Sequence, residues 1–345
     1  MRRTLPIRRA GMTLVELLVV ITILGLLAVT VLPSLATSAE SRRTRETTRM
    51  VSSFISKAQG RAIGRQEWSG LKLVATNTTT SLAAIDIFLA DVPDAYRGDT
   101  TSAALTIATA PISTSATAVP ASAGDISTIV TPVGIQAGDP IRFDGRGTLY
   151  EVTAPIATTA IKFRLRENLN GKEDMGQTLH NTFWPALNVP HTFEIYRQPQ
   201  PSGLPLTLAS GRAVDLSWSG FGPPQANGIA NTYQTFSTLG GPGISTSILF
   251  DSTGRLRQVV IGAGRYAVTG PVFLLVGRAD RAGQVYGVLN TNDDSLGANW
   301  QYPDSYWIAI DPLTGLVRTS ECTPNATTVL ESQAWIRQAL LAGGT

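Results

Sequence analysis

Between residues 12 and 32 the chain is apolar, broken only by Thr13, Glu16, Thr22, Gly25 and Thr30. As a helix rising about 1.5 Å per residue, a run of this length spans roughly the 30 Å hydrocarbon layer of a bilayer. Beyond Pro33 the pattern changes. Apolar residues recur as Met50/Val51, Phe54/Ile55, Ala58 and Ala62/Ile63, the three-to-four spacing of a helix with one buried face. The two patterns predict one helix from about Thr13 to Arg65, bent near Pro33, where the missing amide hydrogen and the ring open the backbone.

From residue 68 the helical spacing gives way to short β-rich runs separated by Gly, Pro, Asp and Asn, among them "SGLKLVAT", "SLAAIDIFLA", "DPIRFDGRGTLYEVT", "AVDLSWSG" and "GPVFLLVGR". "FDSTGRL" and "IDPLTGLV" each read as strand, turn and strand, which predicts hairpins and an antiparallel sheet. "AWIRQALLA" near the end reads as a short amphipathic helix. The stretch "TTSAALTIATAPISTSATAVPASAG" is nearly uncharged and rich in Ala, Thr and Ser. It has too little bulky apolar mass for a core and is expected to be a flexible or edge-strand insertion.

Charge sharpens the division. The net charge is +3, yet residues 1–11 carry +4 through Arg2, Arg3, Arg8 and Arg9, and residues 12–65 carry another +4; the remaining 280 residues carry −5. The basic character belongs to the N-terminal end, and the acidic remainder disfavours nucleic acid as a partner of the head. Arginines before the apolar run favour a cytoplasmic N-terminus. Arg42, Arg45 and Arg49 fall on one side of the second helical half and form a candidate basic face. Lipid headgroups, nucleic acid, solvent and neighbouring subunits are the alternatives for it.

Glu16 needs a reason. A carboxylate inside a bilayer costs roughly 2.5–3.5 kcal/mol on insertion scales, so its presence points to function. An ordinary secretory signal would explain the basic start, with Thr37-Ser38-Ala39 as a cleavage site, but its apolar core is shorter and carries no glutamate. A plain membrane anchor explains the length alone.

The run Gly11-Met12-Thr13-Leu14-Val15-Glu16, after a short basic leader and opening a membrane-length apolar helix, resembles the signal of type IV prepilins and type II secretion pseudopilins. The resemblance implies an α+β, pilin-like fold: a long N-terminal helix, half in the membrane and half amphipathic, packed on an antiparallel β-sheet head. It divides the chain into a leader (1–11), a transmembrane helix (12–33), a stem (34–67) and a β-rich periplasmic head (68–345) with an insertion around 77–195. A prepilin peptidase would cut between Gly11 and Met12 and methylate the new amine. Glu16 would then be the fifth residue of the mature chain, where that family carries its glutamate, and Gly25 and Pro33 fall where many of its helices loosen and kink. Met12 stands where phenylalanine is commoner.

The implied partners are the peptidase, other pilin or pseudopilin subunits and inner-membrane lipid. An amine at Met12 of one subunit can approach Glu16 of its neighbour, and such a pair in low dielectric offsets part of each group's desolvation. The stem ending "SFISKAQGRAIGRQEW", with "SILFDSTGRL" and "WIAIDPLTGLVRTS", is similar to the minor pseudopilin H and fimbrial T class.

No GxSxG, Walker loop, HExxH or paired CxxC occurs, so a structural role without turnover and without a cofactor is expected, the alternative being a minor pilin that acts as a binding module for DNA or a surface ligand. The single cysteine, Cys322, excludes an internal disulfide and is expected to be buried; His180 and His191 have no cysteine at ligand spacing, which disfavours zinc. Asp293 and Asp294, in "NTNDDSLGANWQYPD", are the weak candidates for a calcium loop, against a solvated turn. Trp218, Trp300 and Trp307 could line a ligand surface, but alternating strand patterns favour core positions for most of them.

Overall fold

The computed structural model describes residues 14–76, 82–108, 115–122, 124–126, 135–153, 160–165, 185–222, 233–241, 243–262, 264–268, 270–284 and 297–342; side chains are described throughout these except at 28–39 and 165. Helix α1 spans Leu14–Arg65. It leads directly into β1 (Ser69–Ala75) and β2 (Ala83–Asp91). Seven strands follow: β3 (Leu105–Ile107), β4 (Ser115–Pro120), β5 (Pro140–Phe143), β6 (Tyr150–Val152), β7 (Ile161–Leu165), β8 (Pro190–His191) and β9 (Phe193–Ile195). The chain then forms β10 (Gln200–Thr207), β11 (Arg212–Phe221), β12 (Gln234–Thr235), α2 (Phe236–Gly240), β13 (Thr246–Phe250), β14 (Leu256–Ile261), β15 (Gly264–Ala267), β16 (Val272–Arg278), β17 (Tyr306–Ile310), β18 (Val317–Glu321), α3 (Val329–Ser332) and α4 (Ala334–Ala342).

Eleven strands make one antiparallel sheet in the order β15-β14-β13-β1-β2-β11-β16-β17-β18, with β10 added to β2 and β12 to β11. The expected hairpins are β13–β14 and β17–β18. The stem half of α1 lies on one face: Val51, Ile55, Ala58 and Ala62 are fully buried and share a core with Leu71, Leu73, Ile248 and Ile308. Met50 and Ile63, the outer members of their doublets, stay exposed, while Phe54 packs partly buried beside Ile55. The opposite face holds Phe273, Leu275, Trp300, Trp307 and Cys322, covered by α4 through Ile336. Trp300 and Trp307 are thus core residues as expected, and Trp218 packs partly buried beside them.

The other seven strands form a second antiparallel sheet, ordered β8-β3-β4-β7-β6-β5-β9. Its two end strands are separated only by Thr192, because His191 pairs with Leu105 while Phe193 pairs with Phe143. One short segment therefore hydrogen-bonds to both ends of the ladder and closes it into a small barrel.

This corrects two expectations. The boundary of the insertion moves, since β2 belongs to the main sheet and the barrel lies between Val92 and Pro199. The Ala/Thr/Ser-rich stretch supplies β3 and β4 to that barrel, with Ala103, Leu105, Ile107, Ala116 and Ala118 all buried. Its own bulk is small, but the facing strands bring Phe143, Tyr150 and Phe163, whose ring centroids stand 5.1–5.7 Å apart. Small side chains on two strands make room for large ones on three others, the interdigitation that a narrow barrel needs.

The insertion has a definite place. Ser69, four residues after α1 ends, pairs with Asp91, and Asp91 pairs on its other side with Gln200. The barrel thus leaves and rejoins the sheet at the end where the stem finishes, away from the N-terminal half of α1.

Candidate functional site

The site that the sequence singles out is α1 with its seat on the sheet. Glu16 lies in the first turn of α1 and is exposed, an acidic residue at the positive end of the helix dipole. Around it Leu14, Val15, Leu17, Leu18, Ile21, Ile23 and Leu24 are all more than half exposed. Space around Gly25 is open, so that a Cβ there would meet nothing within 4 Å. Gly11 and Met12 lie outside the described residues, as does the Pro33 side chain, although the helical backbone is continuous past Gly25 and Pro33. Among the described residues no helix is long and apolar enough to cross a membrane.

The stem is fastened at both ends. Near its start the Glu40 carboxylate meets the Arg212 guanidinium at the beginning of β11, and Arg212 also donates to the Glu40 carbonyl at 3.1 Å. The hydrogen bond from Arg212 holds the Glu40 carboxyl below its ordinary range, against an opposing effect of burial. One turn on, Arg45 donates to the Tyr306 hydroxyl (3.2 Å) and to Glu321 (3.1 Å), and Tyr306 donates to the same carboxylate. The buried side of this turn is made of Thr44, Thr47 and Thr48, whose hydroxyls donate back to carbonyls four residues earlier. Satisfied in this way, a threonine can face the sheet without stranding a polar group. Apolar periodicity missed these three residues because it counts threonine as polar.

At the far end Gln59 donates to the carbonyls of Gly254 and Thr314, in the two hairpin turns. Both turns need glycine: Gly254 and Gly315 have φ of +81° and +68°, and a Cβ at Gly315 would stand 2.2 Å from the Gln59 amide. Arg61 and Arg65 converge on Asp91. Burial pushes the Asp91 carboxyl up, but hydrogen bonds from Ser202 and Arg61 and the charges of both arginines outweigh it and leave it lowered.

The candidate basic face is therefore divided. Arg45 is committed to the head, while Arg42 and Arg49 are exposed and have no ion pair among the described residues. Two clefts flank the stem. One of about 360 Å³ is lined by Glu40, Arg212, Arg278 and Asp280, and one of about 290 Å³ by Arg45, Arg49, Tyr306 and Glu321. Apart from Arg49, their charged groups pair with one another.

The remaining candidates are placed as follows. Cys322 is fully buried and free, and burial pushes its thiol up to about 12, which suppresses the reactive thiolate. His191 bridges Asp144 (2.7 Å) and the Ala186 carbonyl (2.9 Å) where the barrel closes, a structural use. His180, Asp293 and Asp294 lie outside the described residues; among those described, no three His, Cys, Asp or Glu side chains are grouped to hold a metal.

No curated protein and no solved structure matches the chain. Residues 7–32 match the family model of the prokaryotic N-terminal methylation motif. That match covers the last five residues of the leader, the Gly11-Met12 junction, Glu16 and Gly25. The chain carries the N-terminal signal of type IV prepilins and pseudopilins, which implies processing by a prepilin peptidase and assembly with other pilin subunits.

Proposed function

We propose that this chain is a structural, non-enzymatic minor subunit of a type IV pilus or type II secretion pseudopilus. It is cut between Gly11 and Met12 and methylated at Met12. Residues 12–33 hold it in the inner membrane as a transmembrane helix continuous with the stem, with the leader cytoplasmic and the head periplasmic. It enters the filament through that helix, with the Met12 amine of one subunit paired to Glu16 of the next. The observation that carries this reading is the methylation motif at residues 7–32, followed within one chain by a stem seated on an antiparallel sheet. The barrel added at the stem's far end favours a minor over a repeating subunit, because each copy in a helical array must clear its neighbours. The order of stem, first strand and late hairpins supports the minor pseudopilin H and fimbrial T class as the nearest type. Capture of nucleic acid by the stem is left chiefly to the exposed Arg42 and Arg49, since Arg45, Arg61 and Arg65 are each held by a carboxylate of the head.

Mass spectrometry of the membrane fraction tests the reading. The expected mature chain begins at N-methylated Met12 and is lost in Gly11→Ala. A chain starting near Glu40 in the soluble fraction would replace it with a secreted β-protein released by ordinary signal peptidase. With cleavage established, Glu16→Ala is expected to leave processing intact and abolish incorporation into filaments.

A further inference from the structure

The barrel joins the sheet through two crossing segments, residues 92–96 leading out and 196–200 leading back. A pair of crossing strands of this kind can be a swivel or a fixed arm, and what surrounds it decides which. Here the segments are tied to one another and to the sheet. Tyr96 and Ile195 exchange both backbone hydrogen bonds, each 2.9 Å. Arg197 donates through Nε and Nη2 to the Asp94 carbonyl, from the returning segment to the outgoing one.

Two cations then reach in from the sheet. Arg265, on the edge strand β15, donates to the carbonyls of Tyr196 (2.8 Å) and Arg197 (2.9 Å). Lys72, on β1, donates to the Pro199 carbonyl at 3.2 Å. The Arg265 side chain is only 8% exposed and stands 4.0 Å from Asp139, which is fully buried at the mouth of the barrel just before β5. A guanidinium taken out of water is tolerable only while its acceptors stay in place. Swinging the barrel away would strip Arg265 of two carbonyls and separate it from a buried carboxylate in one movement. Lys72 is half-buried too, and burial lowers its pKa, so its carbonyl partner is likewise not readily exchanged for water.

We propose that Arg265, assisted by Lys72, latches the barrel to the sheet as a stiff arm projecting from the stem's far end, so that the head presents its barrel in one fixed orientation. The proposal concerns the head alone and stands whether or not the chain enters a filament. Edge strand β15 gains a purpose from it: its outermost position in the sheet is the one from which a long side chain can reach the returning segment.

Distances between spin labels on the full-length chain in detergent micelles test the latch. Labels are placed at Lys162→Cys on the barrel and Arg318→Cys on β18, both exposed positions. The buried Cys322 is left in place, and a sample without added cysteines measures background labelling. With Arg265 intact, a single narrow distance distribution is expected. Arg265→Ala should at least double its width, and Arg265→Lys, which keeps the charge but not the paired donation, should fall between. Lys72→Met should broaden it less than Arg265→Ala. If Arg265→Ala does not fold, Arg265→Lys and Lys72→Met carry the test. A distribution already broad with Arg265 intact, or one left unchanged by every variant that folds, overturns the latch.

Discussion

The stem's seat and the inserted barrel bury apolar surface by different means. Under the stem the two sides are matched: Val51, Ile55, Ala58 and Ala62 meet Leu71, Leu73, Ile248 and Ile308, aliphatic against aliphatic. In the barrel the sides are unequal, with Ala116 and Ala118 across from Phe143, Tyr150 and Phe163. A matched interface shows its burial in each segment separately, as periodicity. An unequal one does not, because the small-residue strands look too poor to be buried until the strands that fill the space beside them are known. Total volume, rather than the bulk of any one strand, is what a closed core must satisfy.

The largest test of this contrast is Phe163→Ala. It removes a ring at the centre of the aromatic cluster and is expected to cost about 3–5 kcal/mol. Hydrogen exchange should show protection lost in β3–β9 and kept in β1 and β13. Equal loss in both regions would show that the two cores melt as one unit. Ile55→Ala is expected to cost about 2–4 kcal/mol by leaving a cavity under the stem, read as a lower denaturation midpoint with exchange rising along α1 and β1 while the barrel stays protected. Glu40→Ala acts through charge: Arg212 is nearly fully buried and would keep only the backbone carbonyl of residue 40 as an acceptor on the stem. Because Glu40 itself is partly exposed, water can enter, and about 1–2 kcal/mol is expected. Arg45→Ala should have the smallest effect, with no resolvable change in the midpoint, since Glu321 stays solvated and the buried Tyr306 keeps its hydrogen bond to that carboxylate.

Acid response separates carboxylates dominated by burial from those dominated by hydrogen bonds. At the barrel joint, burial raises the Asp139 carboxyl from its ordinary 3.8 to about 6. A folded pKa above the unfolded one means that the folded state holds more protons between those values. This group's contribution therefore declines as pH rises from about 4 to 6 and is flat above. Asp215, fully buried in the main sheet and also raised to about 6 by burial, has the same sign. In the β13–β14 turn beside the stem, Asp251 is the opposite case. Burial would raise it, but hydrogen bonds from Thr253, Arg257 and the turn amides bring it down to about 2. Its contribution is present above about pH 4 and is lost as pH falls toward 2. Denaturation midpoints measured against pH should therefore flatten between pH 4 and 6 in Asp139→Asn. In Asp251→Asn the loss of stability below pH 4 should shrink.

Much of the head was legible from the chain alone. The β-rich runs bounded by turn residues that became β1, β2, β11, β13, β14, β16, β17 and β18 announce themselves by composition, and both turns with an Asp and a Gly formed hairpins. What escaped was short or compositionally plain. β3 and β4 lack bulk, β10 contains two prolines and a glycine, and β12 and β15 are too short to show a period. Within the candidate site, the position of Glu16 and the inward face of the stem could be read. The division of the arginines could not, since nothing near Arg45 indicates that its partners are Tyr306 and Glu321, or that Arg49 has none among the described residues.

The sequence by itself determined what depends on neighbours a few residues apart: the methylation signal with Glu16 five residues beyond Gly11, the inward face of the stem, and the hairpin turns. Helical and strand periods, turn conformations and recognition of a cleavage signal are all short-range, so a single segment carries them whole. Only the tertiary structure decided that the Ala/Thr/Ser-rich stretch is core, that the inserted strands close on themselves, that Arg45 belongs to the head, and that Arg265 fastens the barrel. Each of these is a pairing between distant residues, and the energy of burying a small side chain or a charge is set by the partner that meets it.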